Sequence, residues 1–206
     1  MTETTDRHGR VRRKRRRQIL DAALAEFAEK GFQDANVSGI ASRASVSQGT
    51  VYWYFESKQA LFLELMADVF AQVVQPLEEV LGNTDLSPVE RLRQAFRTSL
   101  ALYRGDTEKF RLLLNLWSRP ALFDTKAEEG LLLDRIYREQ ILPPLGRAIQ
   151  EGIDAGEIAP IDPEALTVAL AALVDGLMLY SLIWPEGPVS DERLEAILLL
   201  LLQPTP

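Results

Sequence analysis

The chain has 206 residues, 47% of them hydrophobic, enough to bury a sizeable core as one domain or as a small head on a larger body. With no cysteine and one histidine, His8 in a charged tail, disulfides, thiolate metal sites and histidine-centred triads are excluded, and no cofactor is expected. The net charge of −7 divides unevenly: residues 1–58 carry 11 basic and 7 acidic side chains and the remainder 12 and 23, as for a basic nucleic-acid-facing head on an acidic body.

The polar start, with no apolar signal core, predicts a cytoplasmic protein. Residues 1–17 are expected to be a disordered basic arm holding Arg7, Arg10, Arg12, Arg13, Lys14, Arg15, Arg16 and Arg17. Ile19, Leu20, Ala23, Leu24 and Phe27 then repeat at helical spacing until Gly31, a helix stop. Asn36 is placed to cap a short helix over Val37–Ala44, Ser47 a third over Gln48–Tyr54, and Ser57 a fourth from Lys58. The fourth is long, with an inward stripe running from Leu61, Phe62, Leu65 and Met66 to Leu77.

Further amphipathic segments cover Pro88–Tyr103, Thr107–Ser118, Thr125–Ala155, Pro163–Ile183 and Ser190–Leu202, and Pro143 and Pro144 should bend or split the third of these. The expected fold is all-α, about nine helices, with a helix-turn-helix head at 18–60 and a body at 61–206. Residues 165–183 approach the length of a membrane span, but Asp175 near the middle would cost about 3 kcal/mol, so a buried helix and no membrane are expected. The neighbouring carboxylates Glu78-Glu79 and Glu128-Glu129 point about 100 degrees apart on a helix and are solvated surface. With no phosphate loop, nucleophile elbow or metal spacing, an enzyme is not expected.

Two short helices joined by a tight turn have the dimensions of a DNA-reading unit. On the second of them only Val51 and Phe55 are spaced to pack inward, leaving an amide, a hydroxyl and three aromatic rings outside. Clustered exposed aromatics are costly unless something covers them. The residues from Ile19 through Phe62, above all AEFAEKGF at 25–32, Ile40-Ala41 and VSQGTVYWYFESKQAL at 46–61, resemble the DNA-binding head of TetR-family repressors. The resemblance implies a third helix in the major groove of duplex operator DNA, with Gln48, Gly49, Thr50, Tyr52, Trp53 and Tyr54 as contacts. It further implies that Lys58 holds a phosphate and that Asn36, Val37 and Ser38 touch the backbone, with Ser47 beside them. Similar proteins often carry Lys at Gln48, Thr or Ser near Val37, Gly at Ser45 and an acid at Gly39. The arm, through Arg12, Arg13 and Arg16, is expected to supply compensating phosphate or minor-groove contacts.

Binding to half-sites about one helical turn apart requires a homodimer. The expected interface is Leu166, Leu170, Leu173, Leu177, Tyr180 and Leu182 on one helix with Leu194, Ile197, Leu198, Leu201 and Leu202 on the next. The resemblance also implies a body cavity for a small-molecule inducer that releases the DNA. Phe96, Leu100, Tyr103, Phe110, Leu113, Trp117, Phe123, Tyr137, Ile141, Met178 and Trp184 are its candidate lining. Asp175, a carboxylate among apolar residues, must be paired or functional; an arginine or backbone partner is expected ahead of a cationic ligand. The alternative reading is a helical protein-interaction scaffold that reads no DNA sequence.

Overall fold

The computed structural model describes residues 2–105, 108–109, 112–113, 128–183 and 191–202, with side chains except at 2–8, 102–105, 128–130, 178, 181–183, 191, 199 and 201. Every regular element among the described residues is helical: α1 (Thr2–Asp34), α2 (Val37–Arg43), α3 (Gln48–Tyr54), α4 (Lys58–Leu81), α5 (Pro88–Gly105), α6 (Glu128–Arg135), a π-helical stretch (Ile136–Ile141), α7 (Leu142–Asp154), α8 (Pro163–Ile183) and α9 (Asp191–Leu202). The chain divides into two compact units, residues 1–69 with 107–130 and residues 70–106 with 131–206.

The first unit closes around Ile19, Ala23 and Phe27 of α1, Ile40 and Ala41 of α2, Val51 of α3, and Leu61, Phe62, Leu65 and Met66 of α4, all buried. Gly31 takes φ 72°, a left-handed conformation that breaks α1 where a stop is expected. The break returns Phe32 to the core, where its ring meets Phe62 at 5.0 Å while Phe27 meets Phe62 edge-on at 5.2 Å. The unit extends through Val69 rather than ending at residue 60, because the first turns of the α4 stripe belong to this core.

The basic arm differs from its expected disorder: it is the opening part of α1. Arginine and lysine are good helix formers, and their charges are answered by neighbours. Arg17 bonds Asp21 at 2.9 Å and Asp68 at 2.7 Å, and Arg16 pairs with Glu64.

The turn between α2 and α3 explains why glycine is common at the position of Ser45, which has φ 49° here. Its N–H donates to Ser42 O at 3.1 Å and that of Val46 to Ala41 O at 3.0 Å, so the last α2 carbonyls are satisfied by a left-handed C-terminal cap.

In the second unit, Leu92, Ala95, Phe96 and Leu100 of α5 meet Ala148 and Ile149 of α7, Leu166 and Leu170 of α8, and Leu194, Leu198 and Leu202 of α9. Gly152 makes room for Ile158, whose Cδ1 would stand 2.5 Å from any added Cβ. Pro143 and Pro144 split their helix as expected, at the start of α7. Lacking N–H groups, they cannot continue the ladder, and the chain widens into the π-helical stretch, where the N–H of Leu142 reaches Tyr137 O.

Helix α8 is apolar on nearly all sides, so its sequence does not say which side is inward. Leu166 and Leu170 are buried, and Leu173 and Leu177 pack against the same core. Of the residues expected at a dimer interface, Leu166, Leu170, Leu194, Leu198 and Leu202 are therefore buried core, and Leu173 and Leu177 are partly buried against it. Tyr180 and Ile197 are exposed, and the side chains of Leu182 and Leu201 lie outside the described residues. The outward side of the pair carries Val168, Ala169, Ala172, Gly176 and Tyr180 on α8 and Ile197 and Leu200 on α9.

Candidate nucleic-acid interface and body site

The cap of α3 is built from its own sequence. Ser47 Oγ accepts the N–H of Thr50 at 3.0 Å and lies 2.8 Å from Thr50 Oγ1. Val51 and Phe55 are buried, as their spacing requires, whereas Tyr52 is 49% and Trp53 65% exposed. Gln48 and Gly49 are exposed, and Thr50 and Tyr54 half-buried. An added Cβ at Gly49 would meet nothing nearer than Ser47 Oγ at 3.8 Å, so packing does not demand glycine there. Its effect is to keep the outer face of α3 flat. Trp53 and Tyr54 stand edge to face at 4.7 Å, a rigid aromatic ridge.

The residues expected to touch the DNA backbone fare unequally. Asn36 caps α2, its Oδ1 accepting the N–H of Gly39 at 2.9 Å and the Ser38 hydroxyl at 2.5 Å; Ser38 itself is exposed. The Val37 side chain is buried on the inward face of α2, which leaves only its backbone, at the first position of that helix, for a phosphate. Lys58, expected to hold a phosphate, is engaged within the head. Its Nζ donates to the carbonyls of Phe32 at 2.7 Å, Ala35 at 2.9 Å and Gln33 at 3.2 Å, and sits 4.5 Å from the Phe32 ring centroid. All three ammonium protons are committed to tying the chain after Gly31 onto α4. In the arm, Arg12 lies over the Trp53 ring at 5.1 Å and Arg16 over Phe55 at 5.7 Å, so both tether the extension to the head; Arg13 is exposed.

Glu26 escaped the sequence reading. Fully buried, it accepts from Lys30 at 2.7 Å and Arg43 at 2.8 Å, joining α1 to α2. Burial pushes its carboxyl up, and the two cations more than offset this, holding it below the ordinary value. Its signal was present: Glu26 interrupts the apolar stripe Ile19, Ala23, Phe27 on the same face of α1. Gly39 is its complement, since a Cβ there would stand 2.4 Å from Glu26 Oε1.

In the body, Phe96 and Leu100 are buried in the α5 core cluster, against α7, α8 and α9. Leu113 is buried and belongs to the first unit. Phe110, Trp117, Phe123 and Trp184 and the side chains of Tyr103 and Met178 lie outside the described residues. Ile141 and Tyr137 are half-buried on the π-helical stretch. The Tyr137 hydroxyl donates to Asp175 Oδ2 at 2.6 Å, so the partner of this acid is a phenol rather than the expected arginine or backbone group. Burial raises the Asp175 pKa above its ordinary 3.8, with the Tyr137 hydrogen bond working against it.

That shift sets a pH dependence. The folded body holds this proton more tightly than the unfolded chain, so the stabilisation is complete below 3.8 and is lost as pH rises through the elevated folded value. Asp175→Asn keeps an acceptor for Tyr137 without the charge. Thermal unfolding should therefore become less sensitive to pH above 3.8 in the variant, and an unchanged pH profile would remove Asp175 from this role.

Comparison with known proteins places this geometry in a class. Residues 19–65 match the bacterial regulatory proteins of the tetR family, and residues 88–203 match the C-terminal region of BetI-type transcriptional repressors. The chain belongs to the TetR family of transcriptional regulators. It is 26% identical over 166 residues to the transcriptional regulator RutR of Escherichia coli O157:H7, covering 80% of this chain and 74% of that protein. It is 29% identical over 154 residues to the fatty acid metabolism regulator protein of Bacillus subtilis, covering 75% and 74%. The crystal structure of FadR from Bacillus subtilis in complex with stearoyl-CoA superposes with a TM-score of 0.73 at 25% identity, covering 92% of this chain and 98% of that one.

Proposed function

We propose that the protein is a dimeric repressor that grips operator DNA with α3 of each protomer and lets go when a small molecule binds the body. The observation that carries this reading is the division of α3. Its apolar contacts inward are Val51 and, at its end, Phe55, and two of its three rings, Tyr52 and Trp53, are exposed beside Gln48 and Gly49. Such a surface suits nucleotide edges, where an amide reads a base and a phenol reaches a phosphate.

Pairing of protomers is supported by the outward side of α8 and α9. Val168, Tyr180, Ile197 and Leu200 are exposed large apolar residues. Ala169, Ala172 and Gly176, at helical spacing beside Val168, allow a second helix to approach closely. Two such pairs make a four-helix bundle, and the repressor works in the cytoplasm, where its operator lies.

Release is a population shift, with the effector favouring a body conformation whose recognition helices no longer match the half-sites. The stearoyl-CoA complex of FadR supports a body of this architecture holding a small molecule. Here the half-buried Tyr137–Asp175 pair, on the π-helical stretch and α8, supports an effector that offers a positive charge or a hydrogen-bond donor.

Fluorescence anisotropy with duplexes flanking the protein's own gene tests the reading, with sedimentation equilibrium alongside. A dimer is expected whose DNA affinity falls by orders of magnitude between about 50 and 200 mM salt and prefers one duplex. A salt-independent affinity equal for all sequences overturns it.

A further inference from the structure

The helical extension ahead of the α1 core does more than add charge. Val11 and Arg15 on the extension form, with Ser47, Gly49, Thr50, Trp53 and Tyr54 around α3, an open groove of about 460 Å³. Three neighbouring arginines hold the extension in place. Arg12 stacks on Trp53, Arg16 stacks on Phe55 and pairs with Glu64, and Arg17 pairs with Asp21 and Asp68. The charges of Arg16 and Arg17 are thereby paired with carboxylates, and the Arg12 guanidinium is seated on a ring. Arg15, one turn on from Val11, faces the groove and is exposed, its guanidinium steadied by Gln18 Oε1 at 3.0 Å.

The lining alternates in character. Arg15, the Ser47 and Thr50 hydroxyls and the Tyr54 phenol are polar, while Val11, 61% exposed, and the part of the Trp53 ring left open beside Arg12 present apolar surface. A sugar-phosphate strand alternates in the same way, with an anion for the guanidinium and a deoxyribose for the apolar wall. A protein partner is less well matched, since the groove opens beside the α3 face that presents Gln48 and Trp53.

Resting on the DNA-binding function proposed above, we infer that this groove seats one backbone strand of the operator, with Arg15 on a phosphate and Val11 and Trp53 against the adjoining sugar. The extension is then a fixed part of the reading surface. Arg12 is a positioning residue that holds it there, and the contact falls at a set distance from the bases read by α3.

The test uses the full-length protein and the duplex that the wild type selects from a random-sequence library. Arg15→Gln is expected to raise Kd by about five- to tenfold and to flatten the log–log salt slope by about 0.9, the loss of one phosphate contact. Lys14→Gln, exposed and absent from the groove lining, should change Kd by about twofold at most. Unchanged thermal unfolding checks that both variants remain folded. Equal effects of the two substitutions on Kd and slope mean that the extension acts as diffuse charge, and they overturn the groove while leaving DNA binding intact. Selection of no duplex by the wild type overturns DNA binding itself, and the groove with it.

Discussion

Trp53→Ala is expected to weaken operator binding by about 10- to 100-fold, or about 1.4 to 3 kcal/mol, with little change in the stability of the head. The ring is 65% exposed, so deleting it leaves no cavity in the core, where Val51 and Phe55 hold α3 in place. Two contributions to the DNA complex are lost together. One is the ring itself, the outer member of the Trp53–Tyr54 ridge. The other is the seat for Arg12, whose guanidinium lies 5.1 Å above it. Anisotropy titration and thermal unfolding of the same preparation separate the alternatives. A large fall in melting temperature would place Trp53 in the folded core, and an unchanged Kd would remove α3 from the DNA interface.

Lys58→Met is expected to cost the head about 2 to 4 kcal/mol. The substitution keeps the apolar stem over Phe32 and deletes the donor to three carbonyls, those of Phe32, Gln33 and Ala35. Each carbonyl left unsatisfied costs about 1 to 3 kcal/mol when buried, and water reaching the exposed edge reduces the sum. Chemical denaturation of the head measures the loss. The role expected from family resemblance, a phosphate contact, makes the opposite forecast of unchanged stability with weaker DNA binding at every temperature. A variant as stable as the wild type would return Lys58 to the phosphate.

The two residues illustrate what a motif conveys. The run from Val46 to Leu61 identifies the element that reads DNA, because the alternation of buried and outward positions on α3 is a local property of a short helix. Whether a long side chain such as Lys58 points to solvent or back onto the preceding turn depends on where other chain segments end. The carbonyls that Lys58 holds lie 23 to 26 residues away. Glu26 was legible for the opposite reason, since an acid on an apolar stripe announces itself without its partners. Gly39 was not, because the need for glycine there comes from Glu26, thirteen residues earlier, filling the space.

Sequence alone established the all-helical class, the caps at Asn36 and Ser47, the stop at Gly31 and the break at Pro143-Pro144, because each rests on residues within a few positions of one another. Tertiary structure decided which way the apolar helices face. A helix such as α8, hydrophobic around most of its circumference, has no preferred direction until neighbours are packed against it. Leu166 and Leu170 went inward with Leu173 and Leu177 packed against them, and Ala165, Val168, Ala169, Ala172 and Tyr180 were left outside. Packing likewise turned the basic arm into a tethered helix and gave Asp175 a phenol for a partner, because both outcomes depend on groups brought near only by folding.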